Sequence, residues 1–561
     1  MNAQAHPQVA LKTPLQMFYH WEKQKGDKTY FTQPVGNGQV EEYSWKRVGD
    51  EARRMAAYLR SLNLPEGSRI GIVSKNCAHW IMSDLAIWMA GHISVPLYPT
   101  LSAETVRQIM EHSESKVLFV GKLDDWDNMK DGVPSDVHCI SYPLSPPNDF
   151  PTWNDLIREH QPIQDSPSRK LDELATIVYT SGSTGAPKGV MLSFYAMSYA
   201  AQGVVHELNI TEDERMLSYL PLSHVFERFV VEMGSLAKGF HLFFAESLDT
   251  FVQDLQRARP TLFLSVPRIW TKFQAGVLDK MPAEKLDRLL KIPLVNRLVR
   301  KKILTKLGLQ HVKFAGSGSA PLSQDILQWY RKLGLELLEG YGMSENFAYS
   351  HMTKPGRTRV GYVGEPLPGV ECKIAPDGEV LVKSPASMMG YYKAPELTAE
   401  SFTEDGFLKT GDLGEIDEMG RLKLTGRKKE LFKTSKGKYV APAPIENQLV
   451  SHPAVEMVCV AGADYPQPHC LVMLADDAFA RRDDPQFRKE FEESFGKLLK
   501  EVNQRVDPHE RLAFAVVVKD QWLIENNFLT PTMKMKRNVI EEAYKPFTDD
   551  WYAKRQTIIW Q

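Results

Sequence analysis

The stretch YTSGSTGAPKGV, residues 179–190, sets three glycines, two serines, two threonines and a lysine directly behind a β-branched run, IVYT (177–180). The run ahead of it reads as a strand, and GVMLSFYAMSYAAQGVV (189–205) behind it reads as a helix. A glycine-rich turn between two such elements can aim backbone N–H groups at an anion. Thr180, Ser181, Gly182, Ser183, Thr184 and Gly185 supply the turn and its hydroxyls, and Lys188 adds a point charge. A flexible connector is the plain alternative, and a lysine set among these residues argues against it. The pattern is not a Walker loop, which needs Gly-Lys followed by Ser or Thr; here Pro187 precedes Lys188 and Gly189 follows it.

Outward from the loop, strand and helix alternate. RIGIVS, ISVPLYP and KVLFVG read as buried strands over residues 69–121, separated by the helical HWIMSDLAIWMAG and by SAETVRQIMEHSE, with Ser102 as its N-cap. ATIVYT, HLFFAE, TLFLSV and HVKFAG continue the series further on. Such alternation predicts βαβ units, a covered parallel sheet and an α/β fold. After about residue 360 the texture changes to hairpins, GEVLVKS and GEIDEMGRLKLTGR, and beyond Arg427 to a smaller mixed segment. A boundary near 427 divides the chain into 1–426 and 427–561, as expected of 561 residues, too many for one core.

The bulk numbers exclude more than they assign. Lys and Arg total 68 against 70 Asp and Glu, a formal charge of −2, so no global field argues for nucleic acid. Five cysteines without CxxC spacing point to a reducing, cytoplasmic setting rather than a disulfide scaffold. The N-terminus lacks a signal-peptide pattern and no apolar run approaches a membrane span. One segment, 285–306, carries eight Lys or Arg against one Asp, with Leu, Ile and Val interleaved. It reads either as a solvated basic face broken at Pro293 or as a peripheral contact with an anionic membrane surface.

Two further glycine patterns fall short of familiar fingerprints. GSGSAP (Gly316, Ser317, Gly318, Ser319, Ala320, Pro321) has Pro321 where a dinucleotide turn needs a small residue. GMSEN (342–346) has Asn346 where a nucleophile elbow needs glycine.

Taken with YLPLSHVFER (219–228), EGYGMSE (339–345), KTGDLG (409–414), GRKKELFKTSKGKYVAP (426–442) and LTPTMKMKR (529–537), the 179–190 loop strongly resembles the signature of the adenylate-forming enzymes. These are the acyl-CoA synthetases, peptide-synthetase adenylation domains and luciferases. LPLSHVFER, VPRIWTKF (266–273) and KYVAPAPIEN are similar to the long-chain fatty acyl-CoA synthetase branch. The resemblance implies a large N-terminal domain of layered α/β subdomains with a small β-barrel, and a mobile α+β C-terminal domain. It implies ATP, Mg²⁺ and CoA as cofactor and co-substrates, and a fatty acid as substrate. A carrier-protein acyl-AMP ligase and a non-catalytic acyl-nucleotide binder are the alternatives it leaves open.

The same resemblance implies roles residue by residue. The 180–185 loop with Lys188 would hold the β- and γ-phosphates, with Thr184 and Glu345 at the metal. Tyr341 and Gly342 would face adenine, with GSGSAP as the opposite wall, and Ser344, where relatives have Thr, would reach the α-phosphate. Asp412 would take the ribose hydroxyls, Arg427 would reach the ribose or phosphate, and His224 would stand near the carboxylate and phosphates. Lys534 would bridge carboxylate and α-phosphate, with Lys536 as a rival. Lys429 would be the hinge. The chain departs from the family at Met533 and at Lys436, where relatives have glycine.

Overall fold

The computed structural model describes residues 10–181, 187–320, 322–530 and 533–561. Gly182, Ser183, Thr184, Gly185 and Pro321 lie outside the described residues.

Two large sheets dominate the N-terminal part. In one, strands Ile93–Leu97, Arg69–Val73, Val117–Val120 and His138–Ser141 run parallel, and Leu174–Ser181 joins them beside Ile93–Leu97. Their near-continuous apolar sequence is what a sheet covered on both faces demands. The helix between two of these strands, Ala78–Met89, is buried at every position. It is mostly apolar because it packs between this sheet and strand Thr29–Gly36 of the other. Ser102 caps its helix, accepting from the Thr105 N–H at 3.3 Å.

The second sheet has nine strands, with Leu337–Tyr341, Phe314–Ser317, Leu262–Ser265, Arg215–Ser218 and His241–Phe244 parallel at its centre. A third, antiparallel sheet contains Glu371–Ile374, Glu379–Lys383, Leu408–Ile416 and Leu422–Arg427. A smaller C-terminal part follows, with strands Val455–Ala461, His469–Leu474, Ala515–Val517 and Ile558–Trp560 between helices Pro485–Arg505 and Arg537–Lys554. It has its own apolar clusters, one centred on Val460, Val472 and Phe495 and another on Cys459, Leu529 and Ile540.

A wholly buried ion cluster ties the first sheet and its central helix to the segment around Arg228. Arg228 donates to Asp84 on the central helix, to Glu232 at 3.0 Å and to Thr176 Oγ1 at 2.6 Å. Removing one partner from such a cluster leaves an uncompensated buried charge, typically at ~3–5 kcal/mol. The cluster fixes the segment that begins at His224.

Candidate active site

The glycine-rich loop is not a strand-to-helix turn. Pro187–Ser193 is a strand antiparallel to Leu174–Ser181, with Thr180 opposite Lys188 and Ser181 opposite Pro187. Val190 and Leu192 are buried and Met191 less so, a strand alternation. The helix starts only at Phe194, capped by Ser193 Oγ, which accepts from the Ala196 N–H at 3.1 Å. Lys188 therefore stands on a strand, six residues ahead of the helix start.

The outer edge of that hairpin carries Gly390–Tyr391, paired antiparallel with Tyr391 opposite Val190. Tyr391 donates its hydroxyl to Glu345 Oε1 at 2.7 Å, and the Lys188 ammonium lies 5.8 Å from the Tyr391 ring centre. One tyrosine thus joins the loop lysine to the carboxylate of the 339–345 motif. Sequence reading missed it, because only the strand pairing reveals the contact. Among the described residues no three His, Cys, Asp or Glu side chains converge as a metal cage. A single carboxylate could hold a hard cation only if most of the cation's oxygens came from elsewhere.

On the other side of Glu345 lie Tyr341, Asp412 and Arg427. Asp412 and Arg427 are cross-strand partners at the ends of Leu408–Ile416 and Leu422–Arg427. Asp412 Oδ1 accepts from Arg427 Nε at 2.9 Å, and Oδ2 accepts from the Tyr341 hydroxyl at 2.6 Å. Burial, then the nearby Asp412 charge, pushes the Tyr341 hydroxyl well above its ordinary pKa, so it stays a donor. The carboxylate is nearly covered while Arg427 is about half exposed, leaving a guanidinium edge toward solvent.

The 339–348 segment folds back tightly. A Cβ on Gly342 would lie 2.5 Å from the Ala348 backbone, so only glycine fits. Phe347 and Ala348 both adopt left-handed backbone, φ 48° and 57°, a conformation costly outside glycine. Ser344 opens the single 3₁₀ turn that carries Glu345. Across from it, Gly316 and Ser317 end the strand Phe314–Ser317, Gly318 follows against the Phe226 ring, and Ser319 (φ 69°) and Ala320 are exposed. Buried Glu339 supports this turn, accepting from the Leu322 N–H at 3.2 Å. Burial raises its carboxyl to about 7.

His224 caps the short helix Val225–Glu227, its Nδ1 accepting from the Phe226 N–H at 3.1 Å. That bond assigns the remaining ring proton to Nε2. Burial, with the Lys534 charge second, pushes the imidazole down to about 4, so it is a neutral N–H donor at pH 7. The loop is held from behind by Asn76, which donates to Ser218 Oγ at 2.7 Å and to the Leu220 carbonyl at 2.6 Å.

Lys534 reaches this cleft from the C-terminal part. It is open to solvent yet surrounded at longer range by protein. Burial and Arg427 lower its pKa below the ordinary lysine value, while Asp412, Glu345 and Glu430 pull the other way. Its loop is closed on Thr530, whose carbonyl accepts from the Met533 N–H and whose N–H donates to the Lys534 carbonyl, both at 2.8 Å. Met533 sits at φ 59°. The rival Lys536 turns away and donates to Asn527 at 2.5 Å. At the other departure, the left-handed turn position belongs to Gly437 (φ 74°), leaving Lys436 with an ordinary backbone. Lys429 sits in the 3₁₀ turn Lys428–Glu430. Lys428 is tied back to Asp377 at 2.6 Å and Glu379 at 3.0 Å, whereas Glu430 faces Arg537 of the C-terminal part at 3.8 Å.

A hairpin lysine, the Glu345 carboxylate, a Tyr–Asp–Arg group and a lysine from the C-terminal part are thus gathered in one region. The chain belongs to the AMP-binding enzyme family: the AMP-binding enzyme model matches residues 18–392, and the AMP-binding enzyme C-terminal domain matches 430–556. It is similar to the long-chain-fatty-acid–CoA ligase FadD15 of Mycobacterium bovis, 31% identical, with 95% of this chain and 96% of that protein covered. It is also similar to fatty acyl-CoA synthetase A of Dictyostelium discoideum, 30% identical over 93% of this chain and 87% of that one. Among solved structures, the A-PCP didomain of carboxylic acid reductase from Segniliparus rugosus in complex with AMP shares the fold. Its TM-score is 0.80 at 24% identity, covering 98% of this chain and 83% of that one. The anthranilate CoA ligase AuaEII does so as well, with a TM-score of 0.77 at 20% identity over 98% of this chain and all of that one.

Proposed function

We propose that the protein is an AMP-forming long-chain fatty acid–CoA ligase. A carboxylate oxygen attacks the α-phosphorus of ATP and pyrophosphate leaves. The CoA thiol, losing its proton, then attacks the acyl carbon and AMP leaves. The observation that carries this reading is the meeting of Glu345, Asp412, Arg427 and Lys534 in one cleft beside the Lys188 hairpin. The named relatives above support the acyl class.

In this reading Lys188 and the 180–185 loop neutralise and orient the pyrophosphate end. Phosphoryl transfer of this kind depends on positioning and charge neutralisation more than on covalent help. Asp412 and Arg427 fix the ribose, Tyr341 and the 316–321 turn flank adenine, and Ser344 and the Nε2–H of His224 donate to phosphate or carboxylate oxygens. Glu345, oriented by Tyr391, with Thr184, would hold Mg²⁺, which supplies charge neutralisation at the phosphates. Lys534 brings the carboxylate and α-phosphate together. Lys429 is the pivot that withdraws it for the thioester half, supported by its place between an anchor on each side. We set the domain boundary near 427. The five unpaired cysteines support a reducing, cytoplasmic setting.

Pyrophosphate release measured against carboxylates of rising chain length, with and without CoA, tests the reading. Turnover should be greatest with long chains and need CoA to go beyond one equivalent. A carrier-protein ligase would ignore CoA, and an acyl-nucleotide binder would release nothing.

We also propose peripheral contact with an anionic membrane through 285–306. Among the described residues no helix is long and apolar enough to span a bilayer. Helices Ala283–Lys291 and Val295–Lys306 meet at a corner where Leu294 and Leu298 are 73% and 70% exposed, and both helices are rich in Lys and Arg. Wild-type protein should co-sediment with phosphatidylglycerol vesicles at low salt, and a Leu294→Glu/Leu298→Glu variant should not. Absence of wild-type binding would refute the contact.

A further inference from the structure

Arg268 is the second residue of the helix Pro267–Lys280, which follows directly on the strand Leu262–Ser265. Ser265 pairs with Ser317, and its carbonyl accepts from the Gly318 N–H at 3.2 Å. The helix therefore starts beside the 316–320 turn. From there the Arg268 guanidinium reaches Glu456 on the C-terminal strand Val455–Ala461, with Nη2 2.5 Å from Oε1. The Glu456 side chain is only 14% exposed, and Oε1 is shielded from water with the ion pair as its contact.

The strand that carries Glu456 is packed to the segment that carries Lys534. Cys459 shares a buried cluster with Leu529 and Ile540, and Met457 and Met535 pack against it. Arg537 donates to the Val460 carbonyl at 2.9 Å. Glu456 and the Lys534 loop thus move as one body, and a hold on the first is a hold on the second.

We propose that Arg268 and Glu456 form a positioning contact that keeps Lys534 in the cleft, favouring acyl-adenylate formation over the thioester half. This rests on the two-step reading above. A half-exposed ion pair supports a bias of about two- to fivefold, enough to tilt a domain equilibrium without locking it.

Arg268→Glu, Glu456→Arg and the double swap separate this contact from a general structural role. In single-turnover assays each single variant should slow pyrophosphate release without CoA by about two- to fivefold, while thioester formation from supplied acyl-AMP holds or rises. The double swap should recover the wild-type ratio. Equal losses in both halves, unchanged single variants, or a swap that recovers nothing would overturn the proposal. A wild-type protein that releases no pyrophosphate with any carboxylate would instead sink the reading of function. The contact is then still tested by electron–electron distance measurements between spin labels at Asp127→Cys and Lys489→Cys, both exposed sites. Single variants should broaden the distance distribution and the swap should narrow it again; identical distributions would refute the contact.

Discussion

Tyr341 and Asp412 come from different sheets and meet through a 2.6 Å hydrogen bond, with Arg427 closing the carboxylate from the opposite side. The strand register that puts Asp412 opposite Arg427 builds the pair, and the fold-back at Gly342 brings Tyr341 to it.

Asp412→Ala should weaken AMP binding by about ten- to a hundredfold, since hydrogen bonds to a charged group contribute roughly 1.5–3 kcal/mol. Tyr341→Phe, which keeps the ring, should cost far less. Isothermal titration with AMP reads both, and equal losses would contradict the assignment of the ring to stacking.

Lys534→Ala should slow acyl-AMP formation by about a hundred- to a thousandfold, as for loss of one preorganised charge contact. Supplied acyl-AMP should still go to thioester. Lys536→Ala, whose amine points to Asn527, should leave both halves near wild type. Rapid-quench assays of each half decide it.

Lys429→Pro should do the reverse. A proline fixes φ, so the chain keeps the adenylating arrangement and thioester formation from supplied acyl-AMP falls. Normal CoA turnover in this variant would move the pivot elsewhere.

Glu339 gives a pH signature. Its carboxyl stands at about 7 in the folded chain against the ordinary 4.5. Between those values the folded chain keeps a proton that the unfolded chain has released. Its contribution to stability is therefore full below about pH 4.5 and is lost as pH rises through 7, a change of roughly 3 kcal/mol. Glu339→Gln is neutral throughout, so its urea midpoint should fall less between pH 5 and 8 than that of wild type.

The parallel strands and the helix capped by Ser102 were legible because apolar runs, alternation and a cap each have a local signal. Residues 189–193 were misread as helix because a short apolar strand running straight into an apolar helix carries no distinguishing period. Glu345, Asp412 and Lys534 could each be singled out by motif, but no spacing says that they converge. Tyr391 had no signal at all, since its role depends on pairing with Val190 two hundred residues earlier. Met533 was visible only as a departure from its relatives. Its left-handed backbone explains why glycine is the easier residue there.

The antiparallel hairpin ending at Arg427 also acts as a fixed mount. Asp412 and Arg427, which grip the ribose in the proposed mechanism, and Lys428, anchored by Asp377 and Glu379, belong to one hydrogen-bonded block, and the proposed pivot Lys429 comes just after it. If the C-terminal part turns at Lys429 as proposed, a nucleotide seated on that block would stay where it is. On that proposal the adenylate would not need to be released and recaptured between the two half-reactions: the protein would exchange its own faces around a ligand that stands still.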